Sequence, residues 1–142
     1  MILVDANLIL YAEDRLSKHH AAAREWWDEQ LSGTEAVCLC WPVITAFLRI
    51  TTNPRIMSHP FSGEQAVARV NRWLRQPCVR LIRETEGHWQ ILAALMDEAE
   101  ATANLIPDAH LAALAVGHNC TLCSSDLDFA RFRTLRWRNP LK

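Results

Sequence analysis

Four aspartates occupy positions where a parallel sheet would bring their side chains together. Asp5 directly follows a short apolar run at the amino terminus, and Asp126 and Asp128 follow another such run by two and four residues. Asp108 falls in the first turn of a predicted helix. In open parallel sheets, functional groups collect just beyond the carboxyl ends of the strands. We therefore expect these four carboxylates to converge.

Carboxylates that lie close together need a partner of opposite charge, because neighbouring negative charges repel and raise one another's pKa. A hard divalent cation is such a partner, since Mg²⁺ and Mn²⁺ prefer carboxylate and water oxygens. Such an ion lowers the pKa of a bound water and stabilises charge on a phosphate during in-line displacement. Taken alone, Asp5 could be a helix cap, Asp108 a partner of a helix dipole, and Asp126 and Asp128 ordinary loop residues. The pattern of all four together favours a metal site.

Short apolar runs alternate with helical patterns along the chain, which predicts an α/β fold. We expect one domain, residues 1–142, with a mostly parallel sheet of four to five short strands and helices on both faces. The predicted strands cover residues 2–4, 36–40, 79–82, 121–124 and 135–137. The predicted helices cover residues 7–13, 19–31, 42–53, 62–76, 85–101 and 107–117.

Composition is typical of a soluble globular protein of one domain, with 142 residues, 50% hydrophobic, 22% charged and a net charge of -1. No apolar run approaches the ~20 residues of a membrane span, and no signal peptide is apparent. We expect a cytoplasmic protein whose five cysteines are reduced. Cys120 and Cys123 form a C-x-x-C pair, but they lie in a predicted strand without a second pair, so buried structural thiols are favoured over a redox or zinc site.

Basic residues are concentrated near the carboxyl terminus, where five of the fifteen lie within the last twelve positions. These side chains could be a solvated surface or a rim that contacts phosphates. Trp137, which stands among them, is a candidate for stacking on RNA bases. His110 could approach a substrate, although such a residue is more often packed. The candidate RNA contacts are Arg49, Arg131, Arg133, Arg136 and Trp137.

Several motifs, in order along the whole chain, resemble PIN domains of the VapC toxin type. They are Val4-Asp5-Ala6-Asn7, Phe47-Leu-Arg49-Ile-Thr-Thr-Asn53-Pro-Arg55, Leu105-Ile-Pro-Asp108-Ala-His110-Leu-Ala-Ala-Leu-Ala115, Ser124-Ser-Asp126-Leu-Asp128-Phe129 and Leu135-Arg-Trp137-Arg-Asn-Pro140-Leu141.

The resemblance implies a PIN-like three-layer α/β sandwich and endoribonuclease activity with Mg²⁺ or Mn²⁺. By the family pattern, Asp5, Asp108 and Asp126 match the catalytic, metal-binding acids, Asp128 is an auxiliary ligand, and Asn7 and Ser124 support the site. The resemblance also implies homodimers, an RNA substrate such as transfer RNA, and neutralisation by a VapB-like antitoxin.

One position departs from that pattern, because Ala46 stands where the family has a glutamate three residues before Arg49. Helical spacing places Ala46 on the side of its helix away from Val43, Phe47 and Ile50, so an acid there would point away from the core. Either a toxic nuclease was silenced by substitution, which we favour, or the chain is naturally impaired. In both cases we expect low activity in this form.

Two other classes of function are compatible with some of these residues. Phosphoryl transfer through an aspartyl nucleophile and a receiver-like signalling domain both use acids at strand ends, but both also need a lysine near the site. The chain has only Lys18 and Lys142. The remaining alternative is a silent PIN module that binds an antitoxin or RNA without cleavage.

Overall fold

The computed structural model describes residues 1–142 and contains one parallel sheet of five short strands. The order across the sheet is β3-β2-β1-β4-β5, and each neighbouring pair is parallel. The central strand β1 is buried along its whole length, whereas β3 is a largely exposed edge. The strands are β1 (Ile2–Val4), β2 (Val37–Leu39), β3 (Val79–Leu81), β4 (Thr121–Cys123) and β5 (Trp137–Arg138).

Six helices flank the sheet in two groups. In the first group α1 packs against α2 and α3, and α3 against α4; in the second, α5 packs against α6. The chain moves outward from β1 through β2 to β3 and then returns to β4 on the other side of β1. Because parallel crossovers are right-handed, this reversal places the second group on the opposite face of the sheet. The helices are α1 (Ala6–Glu13), α2 (His20–Ser32), α3 (Trp41–Thr51), α4 (Gly63–Leu74), α5 (His88–Ala99) and α6 (Leu105–Gly117).

The predicted α/β fold with a mostly parallel sheet is confirmed, and the differences concern the bounds of elements. Helix α6 begins at Leu105, two residues before the predicted start at Pro107. Proline is tolerated there because the first-turn N–H groups have no partner inside a helix. Helix α5 begins at His88 instead of Thr85, and it ends where Glu100 adopts a left-handed φ of 50°.

The inward side of α3 is also shifted from the prediction. Val43 and Phe47 are buried as expected, but Ile44 is buried in place of Ile50, which is only half-buried. Ser62 caps α4 through a reciprocal pair of bonds with Gln65, as the sequence indicates. The last strand lies at residues 137–138, slightly later than predicted.

A single cluster of buried apolar side chains fills the space between the sheet and the helices. All five cysteines are buried and unpaired, consistent with the structural thiols expected from the sequence. Cys120 approaches Cys38, at 3.9 Å between sulfur atoms. None of the helices combines the length and the apolar character that a membrane crossing requires.

Candidate active site

The candidate site lies where the direction of strand progression reverses, between β1 and β4. The backbone N–H of Asp5 continues the ladder by donating to the carbonyl of Cys123, at 3.0 Å. Asp5 and Ser124 therefore leave the ends of two adjacent strands side by side. In open α/β sheets, this point of reversal is where ligands bind.

Ser124 organises the side chains around this crevice. Its hydroxyl, fully buried, donates to Asp5 Oδ2 at 2.7 Å and accepts from Asn7 Nδ2 at 3.1 Å. The same oxygen accepts from the backbone N–H of Asp126 at 3.1 Å. One donated and two accepted bonds use the full capacity of a hydroxyl. Ser124 thus fixes Asp5, Asn7 and Asp126 relative to one another.

Three carboxylates meet beside this hub. One oxygen each from Asp108, Asp126 and Asp128 lies within 4.8 Å of the others. Asp108 projects from the first turn of α6, and Asp126 caps a 3-10 helix, Leu127–Arg131, by accepting from the N–H of Asp128 at 2.9 Å. Asp5 lies next to this group, joined to Asp126 through Ser124. Three of the four acids expected to converge therefore form one group, and Asp5 lies beside it.

The charges in this cluster raise the pKa of its members. Burial, followed by the charges of Asp126, Asp5 and Asp128, raises the pKa of the Asp108 carboxyl to about 6. Burial also raises the pKa of Asp5, and the charge of Asp126 adds to that rise. Hydrogen bonds from Ser124 and from the N–H of Ala6 oppose it by stabilising the ionised form of Asp5.

The donor set fits a hard divalent cation. Two of the three carboxylates are half-buried and Asp128 is exposed, and carboxylate oxygens such as these are the ligands that Mg²⁺ and Mn²⁺ prefer. A cation among them would offset the charges of Asp126, Asp5 and Asp128, which add to burial in raising the pKa of Asp108. No cysteine or histidine belongs to the three-carboxylate group, which favours these ions over zinc.

Ala46 is half-buried on α3, and its methyl group adds no ligand. Helix α3 starts after β2 and packs against α1, the helix that Asp5 caps. A side chain at position 46 therefore lies on the helix next to α1, and α1 begins at Asp5 in the site.

The basic candidates have different surroundings. Arg49 and Arg133 are exposed, and the Arg131 guanidinium donates to the carbonyl of Ala99 at 2.8 Å. Arg136 donates to the backbone and side-chain oxygens of Asn119, at 2.6 and 2.8 Å. Because Arg136 precedes β5 and Asn119 precedes β4, this pair lies at the amino end of the sheet, away from the acids.

Trp137 has a contact that the sequence does not reveal. It is half-buried, and its indole N–H donates to the carbonyl of Ser124 at 3.0 Å. The ring therefore stands next to the hub residue, and its polar edge already has a partner.

Sequence reasoning missed the role of Glu84 and His88. Both contact His110, with Glu84 Oε1 3.3 Å from His110 Nε2 and His88 Nε2 3.0 Å from His110 Nδ1. The predicted helix start at Thr85 placed His88 in a regular helix and left Glu84 just before it. No spacing in the sequence relates positions 84 and 88 to position 110.

Comparison with known proteins gives a consistent family. The PIN domain family matches residues 2–135. Ribonuclease VapC37 of Mycobacterium tuberculosis is 41% identical over 140 residues, covering 99% of this chain and 97% of that protein. Ribonuclease VapC33 of the same organism is 37% identical over 142 residues, covering 100% and 99%.

Solved structures share the fold at lower identity. VapBC-1 from nontypeable Haemophilus influenzae matches with a TM-score of 0.72 and 17% identity over the full length of both chains. VapBC2 from Rickettsia felis, bound to a DNA fragment from their promoter, matches with a TM-score of 0.71 and 19% identity over 98% of each chain. The chain belongs to the PIN-domain family and, within it, to the VapC group.

Proposed function

We propose that this protein is a divalent-metal-dependent endoribonuclease, the toxin of a toxin–antitoxin pair. The observation that carries the proposal is the group of three carboxylates within 4.8 Å, adjacent to Asp5, in the crevice between β1 and β4. The relatives that match the chain over nearly its whole length are named ribonucleases, which supports RNA as the substrate.

In this proposal Asp108, Asp126 and Asp128 hold Mg²⁺ or Mn²⁺, and Asp5 completes the site. The bound ion supplies a water of lowered pKa and neutralises charge on the phosphate. Ser124 and Asn7 keep Asp5 and the 126–128 loop in place, and Asp108 is the ligand that must lose a proton before it can bind. Arg49, Arg131, Arg133 and Trp137 are the proposed RNA contacts, and the position of Arg136 removes it from that face.

We further propose that Ala46 leaves the site one carboxylate short and lowers its activity. Loss of groups that only support metal ligands typically costs about 10–100-fold in metal affinity or activity, so loss of a ligand costs at least as much. The same observation supports the second candidate function, a PIN module that binds antitoxin or RNA without cleavage.

Substitution at position 46 tests both candidates. RNA cleavage in Mg²⁺ and in Mn²⁺ is measured for the unaltered protein, Ala46→Glu and Thr45→Glu. Thr45 is exposed on the same helix, and its side chain lies about 100° from that of Ala46 around the axis, so its replacement adds the same charge in a different direction. We expect Ala46→Glu alone to cleave at least tenfold faster, and EDTA or Asp126→Asn to abolish the cleavage.

Equal rates in the unaltered protein and Ala46→Glu would remove any catalytic role for position 46. Mn²⁺ binding without cleavage, even in Ala46→Glu, would favour the silent module.

The proposed partners follow from the family. Structures of VapB with VapC are among those that share this fold, which supports a VapB-like antitoxin as the partner. We also propose a homodimer that acts on transfer RNA in the cytoplasm. Light scattering of the purified protein tests the dimer, and a cleavage-site map of total cellular RNA with Ala46→Glu tests the substrate.

A further inference from the structure

The loop between β3 and α5 is tied to the middle of α6 by three polar side chains. His110 Nε2 lies 3.3 Å from Glu84 Oε1, and His110 Nδ1 lies 3.0 Å from His88 Nε2. The two imidazole rings are nearly perpendicular, at 81°, with centroids 4.9 Å apart. We call Glu84, His110 and His88 the histidine chain.

The donor and the acceptor of each hydrogen bond in the histidine chain can be assigned from the carboxylate of Glu84. A carboxylate only accepts, so His110 donates from Nε2 to Glu84. The other nitrogen of a neutral His110 then accepts from the N–H at Nε2 of His88. Both ring nitrogens of His110 are therefore occupied, which leaves neither free to contact RNA and argues for a role in positioning.

Further contacts hold the same loop along the last turns of α6. His118 Nε2 is hydrogen-bonded to the carbonyl of Arg83. Thr85 passes so close to Gly117 that a Cβ at that glycine would lie 3.1 Å from its hydroxyl oxygen. The loop is thus fixed against α6 from position 110 to position 118.

Helix α6 buries alanines and leucines in the core. Ala109, Ala112, Ala113 and Ala115 are all fully buried. Leu105, Leu111 and Leu114 are buried beside them, and this apolar packing is a non-directional restraint on rotation of α6 about its axis. Directional hydrogen bonds to an imidazole ring restrain that rotation strongly.

Rotation of α6 would displace Asp108. Asp108 and His110 lie two residues apart, about 200° around the helix, so both turn with it. A side chain that ends about 5–6 Å from the axis moves by about 1 Å for a 10° rotation. Metal ligands must be placed to within about 0.2 Å of their ideal distances.

We propose that the histidine chain is a positioning device for Asp108, setting the rotation of α6 so that this carboxylate meets Asp126 and Asp128. The inference rests on the proposed metal site and adds the residues that hold one ligand in register.

Substitution at position 88 tests the inference without altering α6 itself. His88 is half-buried at the first position of α5. His88→Ala removes the donor, His88→Gln keeps an N–H on a side chain of similar reach, and His59→Ala is a control at an exposed histidine. Mn²⁺ affinity is measured by calorimetry without RNA, and the unfolding temperature is measured in parallel.

We expect His88→Ala to bind Mn²⁺ about three- to tenfold more weakly, the equilibrium equivalent of one neutral hydrogen bond. His88→Gln should recover most of the affinity, and His59→Ala should match the unaltered protein. If the unaltered protein binds below the range of the method, the comparison is made in the Ala46→Glu background.

Unchanged Mn²⁺ affinity in folded His88→Ala overturns the inference. A lower unfolding temperature with unchanged affinity also overturns it, because that result describes a purely structural contact. Absence of Mn²⁺ binding in both the unaltered protein and Ala46→Glu instead overturns the proposed function, so the two failures are distinguishable.

Discussion

Replacing Asp108 by asparagine should stabilise the metal-free protein at neutral pH while it removes a metal ligand. The substitution keeps the shape of the side chain and removes its negative charge. Burial and the charges of Asp126, Asp5 and Asp128 all disfavour the ionised form of this carboxyl. A neutral amide at the same position escapes that penalty.

The magnitude follows from the pKa of Asp108, which rises from 3.8 to about 6 in the folded protein. Each pKa unit corresponds to about 1.4 kcal/mol, so two units set an upper bound of about 3 kcal/mol. Asp108 is half-exposed and solvent screens its charge, so we expect about 1 kcal/mol. For a chain of this length, that free energy raises the unfolding temperature by about 3–5 °C.

The stability difference between Asp108→Asn and the unaltered protein depends on pH. The folded state binds the Asp108 proton more tightly than the unfolded chain does, so this carboxyl costs no stability below about pH 4. The cost appears as pH rises through about 6. Asp108→Asn should therefore match the unaltered protein at pH 4 and exceed it at pH 8.

Urea unfolding in EDTA at pH 4 and pH 8 measures the difference. Glu86→Gln, at an exposed position in the loop before α5, is the control for loss of one negative charge. An Asp108→Asn protein that is no more stable than the unaltered protein at pH 8 would refute the claim that burial and the neighbouring charges disfavour the ionised form of Asp108.

Three further predictions concern the same site. Ser124→Ala should lose about 1–3 kcal/mol of stability and bind Mn²⁺ more weakly in calorimetry, because Asp5, Asn7 and the N–H of Asp126 each lose a hydrogen-bond partner. Ser125→Ala, at the neighbouring residue, is the control. Trp137→Phe should lose about 1 kcal/mol in urea unfolding, because the carbonyl of Ser124 loses its indole donor, whereas Trp89→Phe, at a residue 67% exposed, should change little. Mn²⁺ should bind about tenfold more weakly at pH 5 than at pH 7.5, since it competes with the proton on Asp108, and equal affinity at the two values would contradict the assigned ligand.

The sequence was sufficient to place Asp5 and Asp126 at one edge of the sheet, because parallel strands carry the residues that follow them to a common edge. Short apolar runs that alternate with helical patterns predict such strands, and ligands bind beyond the carboxyl ends of parallel strands as a general rule. The capping box of Ser62 and Gln65 was visible for a similar reason, since both partners are three residues apart.

Contacts between distant segments were beyond the reach of sequence reasoning. The bond from Trp137 to Ser124 joins residues thirteen apart, and the bond between His88 and His110 joins residues 22 apart. Such contacts depend on how two elements pack, which no local pattern records. For the same reason the sequence did not reveal that the Arg136 guanidinium contacts Asn119 at the amino end of the sheet.

Crystals of the protein soaked in Mn²⁺ test the central claim most directly. We expect an anomalous-scattering peak between the carboxylates of Asp108, Asp126 and Asp128, about 2.0–2.3 Å from their oxygens. That peak should disappear in Asp126→Asn. Mn²⁺ bound only elsewhere on the protein, or no peak at saturating Mn²⁺ in Ala46→Glu, would contradict the account.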